Sequence, residues 1–196
     1  MENKSFIIGI TGGSGCGKTT LLRCIEEKGG LVLDCDAIYH RLLQTDEALL
    51  ASIENRFPGV VENGQLQRKK LGAIVFSDEQ ALSDLNKITH AAVKNEVLRQ
   101  LQSTPKLAAI DAIGLFEGGL ACLCDITVAV TAPTEHRLCR LMARDGITEE
   151  YARQRIAAQL TCEEFSAMCQ YSLENDGDIC EFRAKCLAFL QGFGIM

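Results

Sequence analysis

Short apolar runs alternate with amphipathic stretches along most of this chain. Phe6-Ile7-Ile8-Gly9-Ile10 is an apolar run that reads as a buried strand, and a glycine-rich stretch follows it. Beyond the glycines, Leu21, Leu22, Cys24 and Ile25 recur at the spacing of one helix face. Four more segments read as strands: Leu31–Asp34, Leu107–Asp111, Ile126–Thr131 and, more weakly, Tyr171–Glu174. Helical patterns separate them. Strands alternating with helices predict an α/β fold with a parallel five-stranded sheet covered on both faces, whose ligands bind at the carboxyl ends of the strands.

Residues 37–105 are too many for one crossover helix. They hold helical patterns at Ala37–Leu43, Glu47–Phe57, Arg68–Val75 and Glu79–Leu101, with turns at Pro58-Gly59 and Asn63-Gly64. Ser77 and Gln80 have the spacing of a capping box for the last of these helices, and Thr161 and Glu164 have it further on. Thr134–Asp145 and Thr148–Leu160 read as two helices joined by Asp145-Gly146. Arg137, Arg140 and Arg144 share one face of the first, opposite Leu138, Leu141 and Met142.

Composition narrows the class. At 196 residues the chain suits one α/β domain with an insertion, and a net charge of −6 argues against nucleic acid as the main partner. No apolar run approaches the ~18 residues of a membrane span, and the start has no leader pattern, so a cytoplasmic protein with no membrane partner is expected. The ten cysteines are scattered among apolar neighbours without a C-x-x-C pair, and read as small core residues in a reducing compartment. Cys16 stands apart, inside the glycine loop and close to a helix N-terminus that could make it reactive.

Candidate chemistry gathers at the strand ends. Gly12-Gly13-Ser14-Gly15-Cys16-Gly17-Lys18-Thr19 fits G-x-x-x-x-G-K-[ST] between a strand and a helix, the context that makes it a phosphate loop. The glycines let backbone N–H groups face inward, the helix N-terminus adds positive potential, Lys18 reaches the β- and γ-phosphates, and the Thr19 hydroxyl can ligate Mg²⁺. ATP contacts are expected from Gly13, Ser14, Gly15, Cys16, Gly17, Lys18, Thr19 and Thr20. Asp34 and Asp36, two apart at a strand end, would point to the same side and face the phosphates; the ordinary alternative is that they cap the next helix. Asp111 ends the third strand, where a second acidic residue can hold the metal shell. Beside a phosphate loop, Arg140 and Arg144 are expected to grip phosphate oxygens, while His40 and His90 are weaker candidates.

Asp111-Ala-Ile-Gly114 and Asn86-Lys87-Ile88-Thr89 resemble GTPase motifs. Their order is reversed, however, and the guanine motif lacks its final aspartate. Taken as an ordered set, the motifs are similar to those of the dephospho-CoA kinase family, almost from end to end. The residues carrying this resemblance are Ile10–Thr20, Asp34-Cys-Asp-Ala-Ile-Tyr-His40, Leu85-Asn-Lys-Ile-Thr-His90, Leu115-Phe-Glu117, Arg144-Asp-Gly146, Arg155-Ile-Ala-Ala-Gln159 and Asn175-Asp-Gly177. Departures from the family pattern fall at Ala91, Ile113, Gly114 and Phe165.

The resemblance implies a phosphate-loop kinase with Mg²⁺ as cofactor and ATP and dephospho-CoA as partners. ATP would phosphorylate the ribose 3′-hydroxyl, the last step of coenzyme A synthesis. Residues 1–36 and 106–196 would form the nucleotide-binding core, 37–105 the helical acceptor-binding insertion, and 134–160 a lid within the core. Asp36 would be the acceptor-side base, with Lys18, Arg140 and Arg144 serving catalysis. Asp34, His40, His90 and Glu117 would place the acceptor. Asn175 would lie on the adenine side, and Thr19 would hold the metal, with Asp34 or Asp111 acting through water. A monomer or weak homo-oligomer is expected. The alternatives are a kinase for another nucleoside or nucleotide and, in a different class, a nucleotide-binding switch or non-catalytic homologue.

Overall fold

The computed structural model describes residues 5–102 and 106–195. A five-stranded sheet has β1 (Phe6–Thr11) at its centre. Around it run β2 (Leu31–Asp34), β5 (Leu107–Asp111), β6 (Ile126–Thr131) and β7 (Tyr171–Glu174), in the order β2-β5-β1-β6-β7. β1 pairs in parallel with β5 and β6, and β6 in parallel with β7, with Ile8 beside Ala109 on one flank and Ile126 on the other. All five strands are the segments expected from the apolar runs. Every residue of β6 is buried, which explains why it reads as a continuous run without alternation.

The chain divides into two compact units. The first holds residues 1–33, 104–115 and 120–196. Its core joins Ile8, Ile10, Val128 and Val130 of the sheet to Leu21, Cys24 and Ile25 of α1 (Lys18–Glu27). Phe182, Cys186 and Leu190 of α9 (Ile179–Gly192) complete this cluster, with α1 packed on α9. Each fully buried Ile, Leu or Phe there contributes about 1.5–3 kcal/mol. α6 (Thr134–Asp145) and α7 (Glu149–Ala157) carry a small core of their own: Leu138, Leu141 and Ala152, flanked by Ile147 and Ile156. Met142, expected on that packed face, is instead 37% exposed. α8 (Cys162–Met168) starts at Thr161, which forms the expected capping box with Glu164.

The second unit holds residues 34–103 and 116–119. It therefore begins at the last residue of β2, and the boundary expected at residue 105 lies outside the described residues. α2 (Cys35–Thr45), α3 (Glu47–Arg56) and α4 (Arg68–Val75) pack on the long α5 (Glu79–Leu101) around Leu49, Ile53, Leu85, Val93 and Val97. One sequence expectation holds here and one changes. Asn63-Gly64 turns a short hairpin of β3 (Val61–Glu62) and β4 (Gln65–Leu66), with Asn63 itself at φ 51°. α5 is capped by the Asp78 carboxylate, which accepts from the N–H groups of Gln80 and Ala81, whereas the Ser77 hydroxyl donates back to Ala73 and Ile74. An aspartate one residue further on outcompetes serine for the cap because its charge also meets the helix dipole.

Among the described residues, no helix is long and apolar enough to cross a membrane.

Candidate functional site

The glycine loop is held open by its carbonyls. Gly12 C=O accepts from Lys18 Nζ at 2.9 Å, and Gly13 C=O from the Cys16 N–H at 3.3 Å. Ser14 C=O accepts from Arg137 Nε at 3.0 Å, Gly15 C=O from Arg140 Nη1 at 3.3 Å, and Cys16 C=O from Asn175 Nδ2 at 2.9 Å. A peptide that turns its carbonyl to the protein turns its N–H the other way. Among the described residues, the N–H groups of Gly15, Gly17, Lys18 and Thr19 have no protein acceptor. That row of inward amides at the start of α1 is a nest for a polyphosphate.

Glycine is required where the loop is most crowded. Gly12 has φ 136°, and a Cβ there would lie 2.2 Å from the Val130 carbonyl oxygen. Gly17, the N-cap of α1 at φ 97°, would place a Cβ 2.2 Å from Asn175 Nδ2. Asn175 is itself 5% exposed; its N–H donates to Thr131 C=O and its Oδ1 accepts from Arg140 Nη2 at 3.0 Å. Lys18 Nζ also lies 3.9 Å from Asp111 Oδ1, at the end of β5. Lys18 thus rests on groups that a triphosphate can replace.

The arginine stripe divides. Arg137 and Arg140 reach the loop. Arg144 turns away and grips Asp145 through Nε at 2.7 Å and Nη2 at 3.0 Å, and Arg155 Nη1 takes the same carboxylate at 2.7 Å. Arg144 foremost, then Arg155, holds the Asp145 carboxyl down at about 2. Arg140 thus already faces the loop, whereas Arg144, expected to grip phosphate with it, is paired with Asp145 in this structure. The nearest carboxylate is the very next residue, and it fits the guanidinium bidentately.

Sequence reasoning undervalued Arg137, which is 3% exposed, and did not select Gln159, whose side chain bonds Ser14. The signal for Arg137 was its place one turn before Arg140. For Gln159 the only signal was the motif from Arg155 to Gln159. Cys16 is corrected as well. It is fully buried, and burial pushes its thiol up against the opposing pull of Arg137 and Lys18, so it is a packed thiol and not an activated one. Thr19 is exposed in the first turn of α1, and Thr20 donates its N–H to Gly17 C=O.

In the second unit, Asp34 caps α2, its Oδ1 accepting the Ala37 N–H at 2.9 Å. The strand geometry expected to aim Asp34 and Asp36 to one side is absent, because β2 ends at Asp34 and the chain is helical from Cys35. Asp36 and His40 are exposed, and four residues apart they share a face of α2. His40 Nδ1 lies 3.5 Å from Arg68 Nη2, and its ring rests 5.7 Å from that of Tyr39. His90 is half-buried on α5, and Glu117 is exposed beside a turn closed by the Gly119 N–H to Phe116 C=O.

Comparison with known proteins matches this arrangement to one family. Residues 6–181 fit the family model described as dephospho-CoA kinase. A dephospho-CoA kinase of Geobacillus kaustophilus is 36% identical over 190 residues, covering 94% of each chain. A crystal structure of a Thermus thermophilus protein superposes with a TM-score of 0.81 at 33% identity, covering 96% of this chain and 97% of that one. A dephospho-CoA kinase structure from Campylobacter jejuni gives 0.66 at 26% identity over the full length of both chains. The glycine loop, the arginines that brace it and the residues Asp36, His90 and Glu117 all lie within the matched residues, and the chain belongs to the dephospho-CoA kinase family.

Proposed function

We propose that this protein transfers the γ-phosphoryl group of ATP to the ribose 3′-hydroxyl of dephospho-CoA, giving coenzyme A and ADP as the last step of coenzyme A synthesis. The observation that carries the reading is the family match across residues 6–181, which includes both the phosphate loop and the acceptor motifs around Asp36, His90 and Glu117. The preformed nest of inward amides supports its nucleotide half.

The chemistry asks for positioning and charge neutralisation. The amides of Gly15, Gly17, Lys18 and Thr19 bind the β-phosphate side, and Lys18 leaves Gly12 C=O for the β- and γ-oxygens. Arg140, already at the loop, neutralises charge as it builds on the transferring group. Asp36 accepts the proton of the 3′-hydroxyl while that oxygen bonds to the γ-phosphorus and the bond from phosphorus to the β,γ-bridging oxygen breaks. Asp34, His40, His90 and Glu117 place the acceptor. Arg144 exchanges Asp145 for phosphate in the working state, and Asn175 lines the adenine side.

A magnesium ion fits the donor set. The Thr19 hydroxyl, exposed in the first turn of α1, and the Asp111 carboxylate, 3.9 Å from Lys18, are oxygen donors beside the loop, as suits a cation that takes its remaining ligands from phosphate and water. Thr19 would hold it directly, with Asp111 or Asp34 acting through water, and it would neutralise charge on the β- and γ-oxygens. Ten free cysteines support a reducing, cytoplasmic setting. A monomer or weak homo-oligomer suffices for every role assigned.

The test is ADP release with MgATP over a panel of acceptors. Dephospho-CoA is expected to raise the rate well above the acceptor-free level, with AMP and uridine doing little. Strong turnover with uridine and none with dephospho-CoA would overturn the acceptor while leaving the kinase class standing.

A further inference from the structure

Ser14 is held at all three of its polar atoms. Its N–H donates to Gln159 Oε1 at 2.8 Å, its hydroxyl accepts from Gln159 Nε2 at 2.9 Å, and its carbonyl accepts from Arg137 Nε at 3.0 Å. Arg137 Nη2 also donates to Gln159 Oε1 at 3.3 Å, which closes a ring of three residues. Arg137 sits in the first turn of α6 and Gln159 just beyond the end of α7, so both ends of this helix pair are tied to one loop residue. The fit leaves no slack: a Cβ on Gly13 would lie 2.3 Å from Arg137 Nη2.

The charge of Arg137 is unusual in its setting. The side chain is buried, and its bonded partners are neutral: Ser14 C=O, the Gln159 amide and the Cys162 thiol at 3.9 Å. Among the described residues, none of the ion pairs within 4.0 Å includes Arg137. A buried guanidinium without a counter-charge is costly, and an anion in the loop it braces would offset that cost.

We propose that Arg137 and Gln159 are positioning residues for the triphosphate. By fixing Ser14 they orient the first turn of the loop before nucleotide arrives, so that the amides of Gly15, Gly17, Lys18 and Thr19 need no rearrangement to receive phosphate. The buried charge of Arg137 adds to the attraction for each phosphate bound. Preorganisation of this kind appears as affinity, because ordering the loop is no longer part of binding.

The inference rests on the kinase reading only for turnover, so its test is MgATP binding by calorimetry without acceptor, alongside thermal unfolding. Gln159→Ala removes both hydrogen bonds to Ser14 and the one from Arg137, and Gln159→Met removes all three while keeping length and packing. Each is expected to weaken MgATP about tenfold, with the KM for dephospho-CoA within about twofold and the unfolding midpoint within about 3 °C. Recovery of affinity by methionine would assign the effect to packing and overturn the proposal. So would unchanged affinity in both variants, or an unfolding midpoint that collapses while the folded fraction binds as before. Arg137→Gln keeps a donor without the charge and is expected to weaken MgATP about threefold more than MgADP; equal losses would remove the charge from the account. A wild-type protein that binds MgATP yet ignores dephospho-CoA would defeat the functional reading and leave this one intact.

Discussion

Ser14, Gly15 and Cys16 in the first unit are fixed by side chains 123 to 159 positions further along the chain, whereas Asp36, His40 and Glu117 in the second unit stand exposed with few partners. The loop of the first unit is built by the fold itself: carbonyls are tied back, glycines sit where no Cβ fits, and amides are presented. The residues proposed for the acceptor lie on a helix and beside a turn, with their side chains exposed. A polyphosphate is recognised by many weak backbone donors that must be set in advance, while an acceptor hydroxyl needs one base in reach at the moment of transfer. Substitutions should therefore act differently in the two units.

The sharpest break is expected in the loop. Lys18→Ala removes the cation for the β- and γ-oxygens and should lower turnover on the order of 10³-fold while weakening ATP, as a steady-state assay with nucleotide titration would show. Asp36→Asn keeps shape and loses basicity. It should lower turnover by about 10²-fold with ATP binding and unfolding midpoint little changed, the signature of a group the fold does not need. Near wild-type turnover would make Asp36 a surface residue and move the search to Asp34 or Asp111. Arg140→Ala and Arg144→Ala probe the boundary between preset and recruited groups. Both should lose at least about tenfold in turnover, or 1.4 kcal/mol of barrier. Arg140→Ala should also weaken ATP, because it already braces Gly15 and Asn175, whereas Arg144→Ala should leave affinity unchanged. If Arg144→Ala is silent, Arg144 serves only its pair with Asp145.

The smallest effect concerns acid stability of the helical unit. Arg99, then Gln100 and Arg41, hold the Glu96 carboxyl down at about 2 from an ordinary 4.5. A depressed folded value means stability that is present above about pH 4.5 and is lost as pH falls towards 2. Glu96→Gln should lower the unfolding midpoint at neutral pH by about 2–4 °C and flatten its decline across that window, measured by thermal melts at a series of pH values. An unchanged decline would place the acid-sensitive contacts elsewhere.

The sequence made the core more legible than the site. Buried parallel strands announce themselves as apolar runs, and the phosphate loop carries its chemistry in local spacing, so β1, β5, β6 and the Gly12–Thr19 loop could all be read without a structure. What spacing could not show was choice among alternatives. The i, i+3, i+7 arginine stripe identifies a face but not which members find a carboxylate first, and Asp145 claims Arg144. Asp34 satisfied the helix-cap alternative that any aspartate after a strand carries. Gln159 was passed over because an amide 145 residues from its partner leaves no local pattern beyond the motif from Arg155 to Gln159.

Phosphorus and proton NMR of the product formed from MgATP and dephospho-CoA tests the central claim most directly. The account predicts one new phosphomonoester whose phosphorus couples to the ribose H3′, formed together with an equal amount of ADP. A phosphate on any other atom, or ADP formed without phosphorylated acceptor, would contradict it.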